Sequence, residues 1–405
     1  MRTVSAKSTL WLVLVGLLVI GPATAADETA SSDCNQGADL ERSIEGCTRL
    51  IANPDLSSQN RAFAFYNRGS AYKEKGDLDR AIADYGQAIR LDATYLDAYN
   101  NRGNAFDKKG DFDRAIADLG EALKLDPKLA RTYSNRGLAY LHKGDLDRAL
   151  ADLDEAVRLD PKLPMAYNNR GLAYQQKGDL TRAISDLDEA LRLDPNLPDA
   201  YVNRGFTYHL NNDLDRALAD YDEALRLDPK LPDRGSIYSN RGLIYQEKGD
   251  RERAVADFDN AIAIDDQNSR AHYTRGRIYR SRADFLRSVE DWNRAIADFD
   301  KAIELDPQFS AAFIERGLTY AAKGDRNKAI PDYDRAILLN PNIADAYYNR
   351  GSAYLGIGEE QRRIEYLDKA IEDFDQALAR DPKNVFAPMG RLRALKTKAA
   401  LGEHR

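Results

Sequence analysis

The sequence predicts an all-α fold, an α-solenoid of nine stacked helix–turn–helix copies with a capping helix at each end. Three observations predict it. First, a glycine preceded by arginine recurs at Gly69, Gly103, Gly137, Gly171, Gly205, Gly242, Gly276, Gly317 and Gly351, in steps of 34, 34, 34, 34, 37, 34, 41 and 34 residues. Such a period marks a repeat array rather than the two or three globular domains that 405 residues alone suggest. Second, each copy holds two amphipathic helical stripes punctuated by Gly and, in most copies, Pro. Third, Tyr numbers 22 while Trp numbers 2, a bias that repetition explains.

Residues 1–25 read as a secretory signal peptide. Arg2 and Lys7 make a basic start, Leu10 to Ile20 an apolar run, Gly21-Pro22 a break, and Ala23-Thr24-Ala25 a small-residue cleavage site. The alternative, an uncleaved anchor, needs roughly 20 apolar residues to span a bilayer, and the run has eleven. The expected product is exported, periplasmic or secreted, with no stable membrane span after cleavage. Export puts Cys34 and Cys47, thirteen residues apart, in an oxidising compartment. A disulfide between them would be worth about 3 kcal/mol by loop closure; two unpaired thiols are the alternative.

Residues 26–61 form an N-terminal linker and capping helix. Glu41-Arg42-Ser43-Ile44-Glu45-Gly46-Cys47 aligns with Asp79-Arg80-Ala81-Ile82-Ala83-Asp84-Tyr85, so Cys47 takes the core place of Tyr85. Nine copies follow at 62–95, 96–129, 130–163, 164–197, 198–231, 235–268, 269–309, 310–343 and 344–384, and 385–405 is a basic, solubilising last helix. In the third copy Tyr133, Gly137 and Tyr140 share one face of a first helix. Gly144 ends that helix, Asp145 is placed to cap the next, and Ala149, Leu153 and Ala156 form the second stripe. Pro161 follows its end. Two short amphipathic helices cannot bury their faces alone, so the copies must stack.

These residues resemble the tetratricopeptide repeat family, whose pattern is matched in the second copy by Tyr99, Gly103, Phe106, Ala115, Leu119, Ala122 and Pro127. The resemblance spans 62–384. It implies a right-handed superhelix whose first helices line a concave surface, and it says little about function. Ala93 and Asp266 replace the usual Pro, three residues are added around Pro232–Gly235, and seven are added in each of copies seven and nine. Seven residues is close to two helical turns, so each insert can lengthen one helix without turning its face. Trp292, with Phe285 and Val289 at helical spacing, reads as added core or as an exposed contact patch.

An Arg precedes the glycine in all nine copies, and an Asp recurs in every second helix: Asp84, Asp118, Asp152, Asp186, Asp220, Asp257, Asp298, Asp332 and Asp373. Both border the seam between the two helices, where a guanidinium can meet a carboxylate bidentately. This predicts an Arg–Asp ladder that fixes hairpin register.

The concave side should carry the Asn two before each glycine, with Asn101, Asn135, Asn169, Asn203 and Asn240 in the central copies. Amides donate and accept together, so such a row can follow a peptide backbone without reading its sequence. It resembles the asparagine row in the repeats of O-linked N-acetylglucosamine transferases; the competing reading is that Asn is simply common there in the family. Leu138, Leu172, Phe206 and Leu243, each just after a glycine, add an apolar strip. The lysines of a chaperone-type carboxylate clamp are replaced at one such place by Tyr66, Asn100, Ser134 and Asn168.

The formal charge of −7 gives nothing to attract a polyanion, so nucleic acid is not an expected partner. With 4 His and 2 Cys, neither a metal site nor a cofactor is expected. The chain holds no phosphate-binding glycine loop, no G-x-S-x-G and no H-E-x-x-H, and His142, His209 and His272 have no obvious catalytic partner in the sequence. The reading that follows is a non-enzymatic scaffold in the cell envelope, binding an extended peptide or protein segment in the concave groove. The alternative is an exported carbohydrate or small-ligand carrier using the same groove.

Overall fold

The computed structural model describes residues 25–35 and 39–402; of the expected signal peptide, 1–25, only Ala25 falls among them. The chain divides into two compact units, Met1–Asn196 and Leu197–Arg405. In the first, α1 (Ala25–Cys34) and α2 (Leu40–Ala52) precede four hairpins. These are α3 (Ser58–Glu74) with α4 (Leu78–Leu91), α5 (Leu96–Lys108) with α6 (Phe112–Leu125), α7 (Ala130–Lys143) with α8 (Leu146–Leu159), and α9 (Pro164–Gln176) with α10 (Leu180–Leu193). The second unit has five hairpins: α11 (Pro198–Leu210) with α12 (Leu214–Leu227), α13 (Arg234–Glu247) with α14 (Arg251–Ile264), α15 (Ser269–Leu286) with α16 (Val289–Leu305), α17 (Ser310–Ala322) with α18 (Arg326–Leu339), and α19 (Ala344–Gln361) with α20 (Ile364–Arg380). Helix α21 (Ala387–Gly402) ends it. Within each unit every second helix also packs on the next first helix, which makes an all-α array of tandem hairpins.

The N-terminal segment contains two helices where the sequence reading has a linker and one helix. Cys34 is bonded to Cys47, with Cα atoms 4.5 Å apart, and both are buried. A Cβ on Gly46 would lie 2.6 Å from Asp33 and from the Cys34 backbone, so glycine lets α1 lie close on α2. Asp33, buried at that contact, takes an ion pair from Arg42 at 2.7 Å and another from Arg49.

Local chemistry sets the hairpins. In seven of them an Asp caps the second helix, as Asp145 does by accepting the backbone N–H of Arg148. The first helix of the third copy stops at Gly144, whose φ of 84° is a left-handed conformation that glycine adopts at least cost. At the crossing of α7 and α8, a Cβ on Gly137 would sit 2.7 Å from Leu153. The arginine-adjacent glycine is therefore the point of closest helix approach.

The Arg–Asp ladder is complete. In each of the nine copies the arginine donates Nε and one terminal nitrogen to the two oxygens of its aspartate, at 2.5–3.0 Å. All nine carboxylates are buried. The sequence separation is 16 in the regular copies and 23 in the two long ones. The other terminal nitrogen makes a contact that was not foreseen. Arg170, Arg241, Arg275, Arg316 and Arg350 each use it to bind an aspartate of the preceding hairpin, at 2.5–2.9 Å. One guanidinium thus joins three helices.

Tyrosine supports the same cations. Ladder arginines lie over the rings of Tyr133, Tyr167, Tyr201 and Tyr238 at 5.4–5.5 Å. The arginine three residues into the second helix lies over a ring near the end of the first, as Arg182 does on Tyr174 at 4.3 Å. Many of the tyrosines are therefore paired with arginine.

The inserts are shared between the two helices of their hairpins. Helices α15 and α19 have 18 residues and α16 and α20 have 17, against 13 and 14 in α17 and α18. The first insert is both core and surface. Trp292 is buried and donates Nε1 to Asp284 at 2.9 Å, while Phe285 and Val289 are exposed. At the far end α21 packs through Ala387 and Ala394, yet Val385, Phe386, Met389, Leu392 and Leu395 are exposed. Those apolar residues stand beside the exposed basic residues Arg393 and Lys396.

Removing one partner of a buried pair leaves an uncompensated charge. Arg136→Ala should therefore destabilise the protein by about 3–5 kcal/mol. A double-mutant cycle with Asp152→Ala should show coupling above about 1 kcal/mol in urea unfolding; coupling near zero would contradict the ladder.

Candidate functional site

The side chains expected to meet a ligand lie on the first helices, and in the first unit many are already used between neighbours. Asn101 donates Nδ2 to the Tyr66 hydroxyl at 2.8 Å, Asn135 to Asn100 Oδ1 at 3.3 Å, and Asn169 to Ser134 Oγ at 3.1 Å. Each bond spans 35 residues, from one first helix to the one before it. Asn169 is 3 % exposed, so its amide is packed between helices instead of open to a ligand. Asn101 and Asn135 are half-buried, as are Asn203 and Asn240 in the second unit. A signal for this existed in the sequence: Tyr66, Asn100 and Ser134 are polar at the position facing the next asparagine.

The described histidines are paired as well. His142 Nδ1 lies 2.9 Å from Asp107, again 35 residues back, and the hydrogen bond to that carboxylate raises its pKa above the ordinary imidazole value. His209 lies 3.0 Å from Glu247 across the three-residue insertion, and buried His272 lies 3.4 Å from the ladder residue Asp298. Each of these three histidines thus has a carboxylate partner that the linear sequence hid. The pairs of His142 and His209 join successive hairpins, and that of His272 joins the two helices of one.

Of the expected apolar strip, Leu138 and Leu172 are partly buried beside the cluster of Leu141, Ala149, Leu153 and Ala173. In the second unit Leu243 packs beside Tyr245, Ala254 and Phe258, while Phe206 remains 37 % exposed. Where copies seven and eight lose the asparagine, Thr274 is buried and Glu315 enters a charged cluster. Glu315 Oε2 lies 2.7 Å from Arg280 Nε, an ion pair too bent for a hydrogen bond, and Arg277 approaches at 3.5 Å. The face of first helices is therefore apolar at Phe206 and Leu243 and charged immediately beyond. Among the described residues no cluster of His, Cys, Asp and Glu could hold a metal ion.

Family models described as tetratricopeptide repeat or TPR repeat match residues 69–110, 100–164, 137–204, 198–231, 235–268 and 317–358, together more than half of the chain. The chain is a tetratricopeptide repeat protein. No curated protein matches it. Solved structures similar to it include the tetratricopeptide repeat protein YrrB, described as having an unusual peptide-binding site, at 23% identity over 48% of this chain and 95% of that one, with a TM-score of 0.42. Cut9–Hcn1 from the APC/C is 18% identical over 87% of this chain and 80% of that one, with a TM-score of 0.47. PilF of Pseudomonas aeruginosa is 19% identical over 51% and 93%, with a TM-score of 0.44. These are likenesses of fold alone. Tetratricopeptide repeat arrays are in general scaffolds for protein–protein interaction.

Losing a buried hydrogen bond costs about 1–3 kcal/mol. Asn169→Ala should lower unfolding stability by that amount. A change within about 0.5 kcal/mol, the usual range for surface substitutions, would return this amide to ligand duty.

Proposed function

We propose that this tetratricopeptide repeat protein is a non-enzymatic adaptor of the cell envelope that holds an extended peptide or protein segment against its first helices. The observation that carries the reading is Phe206. It is a large apolar side chain left open on a first helix, at the place where Leu138, Leu172 and Leu243 stand in other copies. Half-buried asparagines border that position in their own copies, at Asn135, Asn203 and Asn240. Exposed apolar surface rimmed by polar groups is the usual mark of an interaction site. Asn169 is left out of the contact set because it is buried.

The envelope location rests on the sequence of residues 1–25 and is supported by the Cys34–Cys47 bond, since disulfides persist in oxidising compartments. Mass spectrometry of the envelope fraction should find a chain beginning at Ala26; material beginning at Met1 in that fraction would overturn the processing.

Burying an exposed Phe is worth about 1.5–3 kcal/mol, equivalent to roughly ten-fold or more in affinity. In-cell cross-linking followed by affinity capture should therefore recover a partner with the wild type and lose most of it with Phe206→Asp. Thermal unfolding checks that this variant is folded. Equal capture by both proteins would place the interface elsewhere.

A further inference from the structure

Two hairpins of the second unit stand taller than their neighbours, and the scaffold reading makes no use of them. Helices α15 and α19 end ten residues past Gly276 and Gly351, where α17 ends five past Gly317. Helices α16 and α20 start nine residues before Asp298 and Asp373, where α18 starts six before Asp332. Each tip therefore rises about one turn, roughly 5 Å, above the hairpins of copies six and eight. In a tandem array the hairpin turns share one edge, so both tips project from the same side of the unit.

The α15–α16 tip carries Phe285, Leu286 and Val289 at 80 %, 60 % and 58 % exposure. It is braced from below, where Arg282 forks onto Asp291 at 2.5 and 2.7 Å and Trp292 donates to Asp284. The carboxylates of both tips are answered by arginines. Asp284 pairs with Arg280, Glu290 with Arg294 and Asp291 with Arg282. On the second tip Glu359 pairs with Arg393, Glu360 with Arg326 and Glu365 with Arg363. One arginine is left at each summit: Arg287 and Arg362 are exposed and make no ion pair among the described residues. Both occupy the left-handed turn, at φ of 56° and 54°, where copies six and eight have Gly249 and Gly324. A side chain is strained there and glycine is not. The chain thus accepts local strain to hold a cation at both summits.

We propose that this edge rests on an anionic lipid surface, with Phe285, Leu286 and Val289 inserted at the headgroup–acyl boundary and Arg287 and Arg362 on lipid phosphates. Area favours this occupant over a protein. The three open side chains expose on the order of a few hundred Å², short of the about 800 Å² that each partner buries in a standard protein interface. A narrow apolar projection on rigid helices is sufficient for the interfacial zone of a bilayer. Chemistry favours it too. Arg287 lies between the apolar residues, so whatever covers them must also meet a guanidinium. Lipid phosphates do so directly above the acyl boundary, where arginine snorkels. The net charge of −7 opposes an anionic surface at long range. Attraction is therefore confined to the two summits, and apolar insertion carries most of the binding. The contact is separate from Phe206 and independent of the peptide reading.

Vesicle flotation of protein purified from the envelope fraction tests this. The wild type should float with phosphatidylglycerol–phosphatidylcholine vesicles, and less with phosphatidylcholine alone. Phe285→Asp should lower partitioning about ten-fold or more on both, with unchanged helical circular dichroism. Arg287→Gly and Arg362→Gly, which relax their turns, should each lower it about five-fold on the phosphatidylglycerol vesicles only. Phe206→Asp should float as the wild type does, which separates this contact from the peptide site. A wild type that does not float, a Phe285→Asp variant that floats equally, or glycine variants that bind phosphatidylglycerol undiminished would each overturn the attachment. So would a protein cross-linked through the tip by a wild type that binds neither vesicle.

Discussion

The arrangement depends on a buried fork between arginine and aspartate, repeated once per hairpin. A guanidinium has one planar edge that fits a carboxylate, so the pair fixes both the distance and the rotation of the two helices. Its remaining nitrogen is then aimed at the hairpin before. Desolvation works against such pairs. Burial raises the carboxyls of Asp332 and Asp373 above the ordinary aspartate range even with an arginine on each. The fork therefore contributes more to register than to net stability. The two long hairpins show the constraint operating. Their inserts move the aspartate from 16 to 23 residues beyond the arginine, and the same two hydrogen bonds form. Seven residues is about two helical turns, which returns every side chain to its face.

Much of this was legible in the sequence because it recurs. The glycine period located nine hairpins, and the paired Arg and Asp columns indicated a ladder before any geometry was known. What escaped was whatever joins one copy to the next. The bond from Arg316 to Asp300, and that from Asn169 to Ser134, link positions that belong to different copies. A single copy read alone assigns those side chains to solvent or to a ligand. The two-turn inserts misled for a related reason. Seven residues can extend one helix by two turns or both by one, and only packing at the tip decides. Trp292 found a partner in Asp284 there, while Phe285 at the same helical spacing did not.

The asparagine column shows how one residue type can serve different ends in one array. In the first unit its amides meet Tyr66, Asn100 and Ser134 and act as rungs between helices. In the second unit the facing residues become Val202, Ser239, Tyr273 and Ile314, and at Glu315 the asparagine gives way to an ion pair with Arg280. Peptide recognition by a continuous amide row needs those amides open. The rungs leave it resting instead on apolar positions such as Phe206, so side-chain pockets would matter more than main-chain contacts in choosing a ligand.

The two ends of the array are finished by opposite means. At the start, α1 lies on α2 through Gly46, and a disulfide together with two arginines on buried Asp33 closes the contact. At the finish, α21 keeps the arginine that ties it backward, to Asp375, but replaces the glycine that would admit a further helix by Leu392. Its outward face stays apolar at Met389, Leu392 and Leu395. Arg393 and Lys396 stand exposed beside them. Where the arginine column continues and the glycine column stops, α21 keeps the backward tie of a first helix without the close approach that admits a second one.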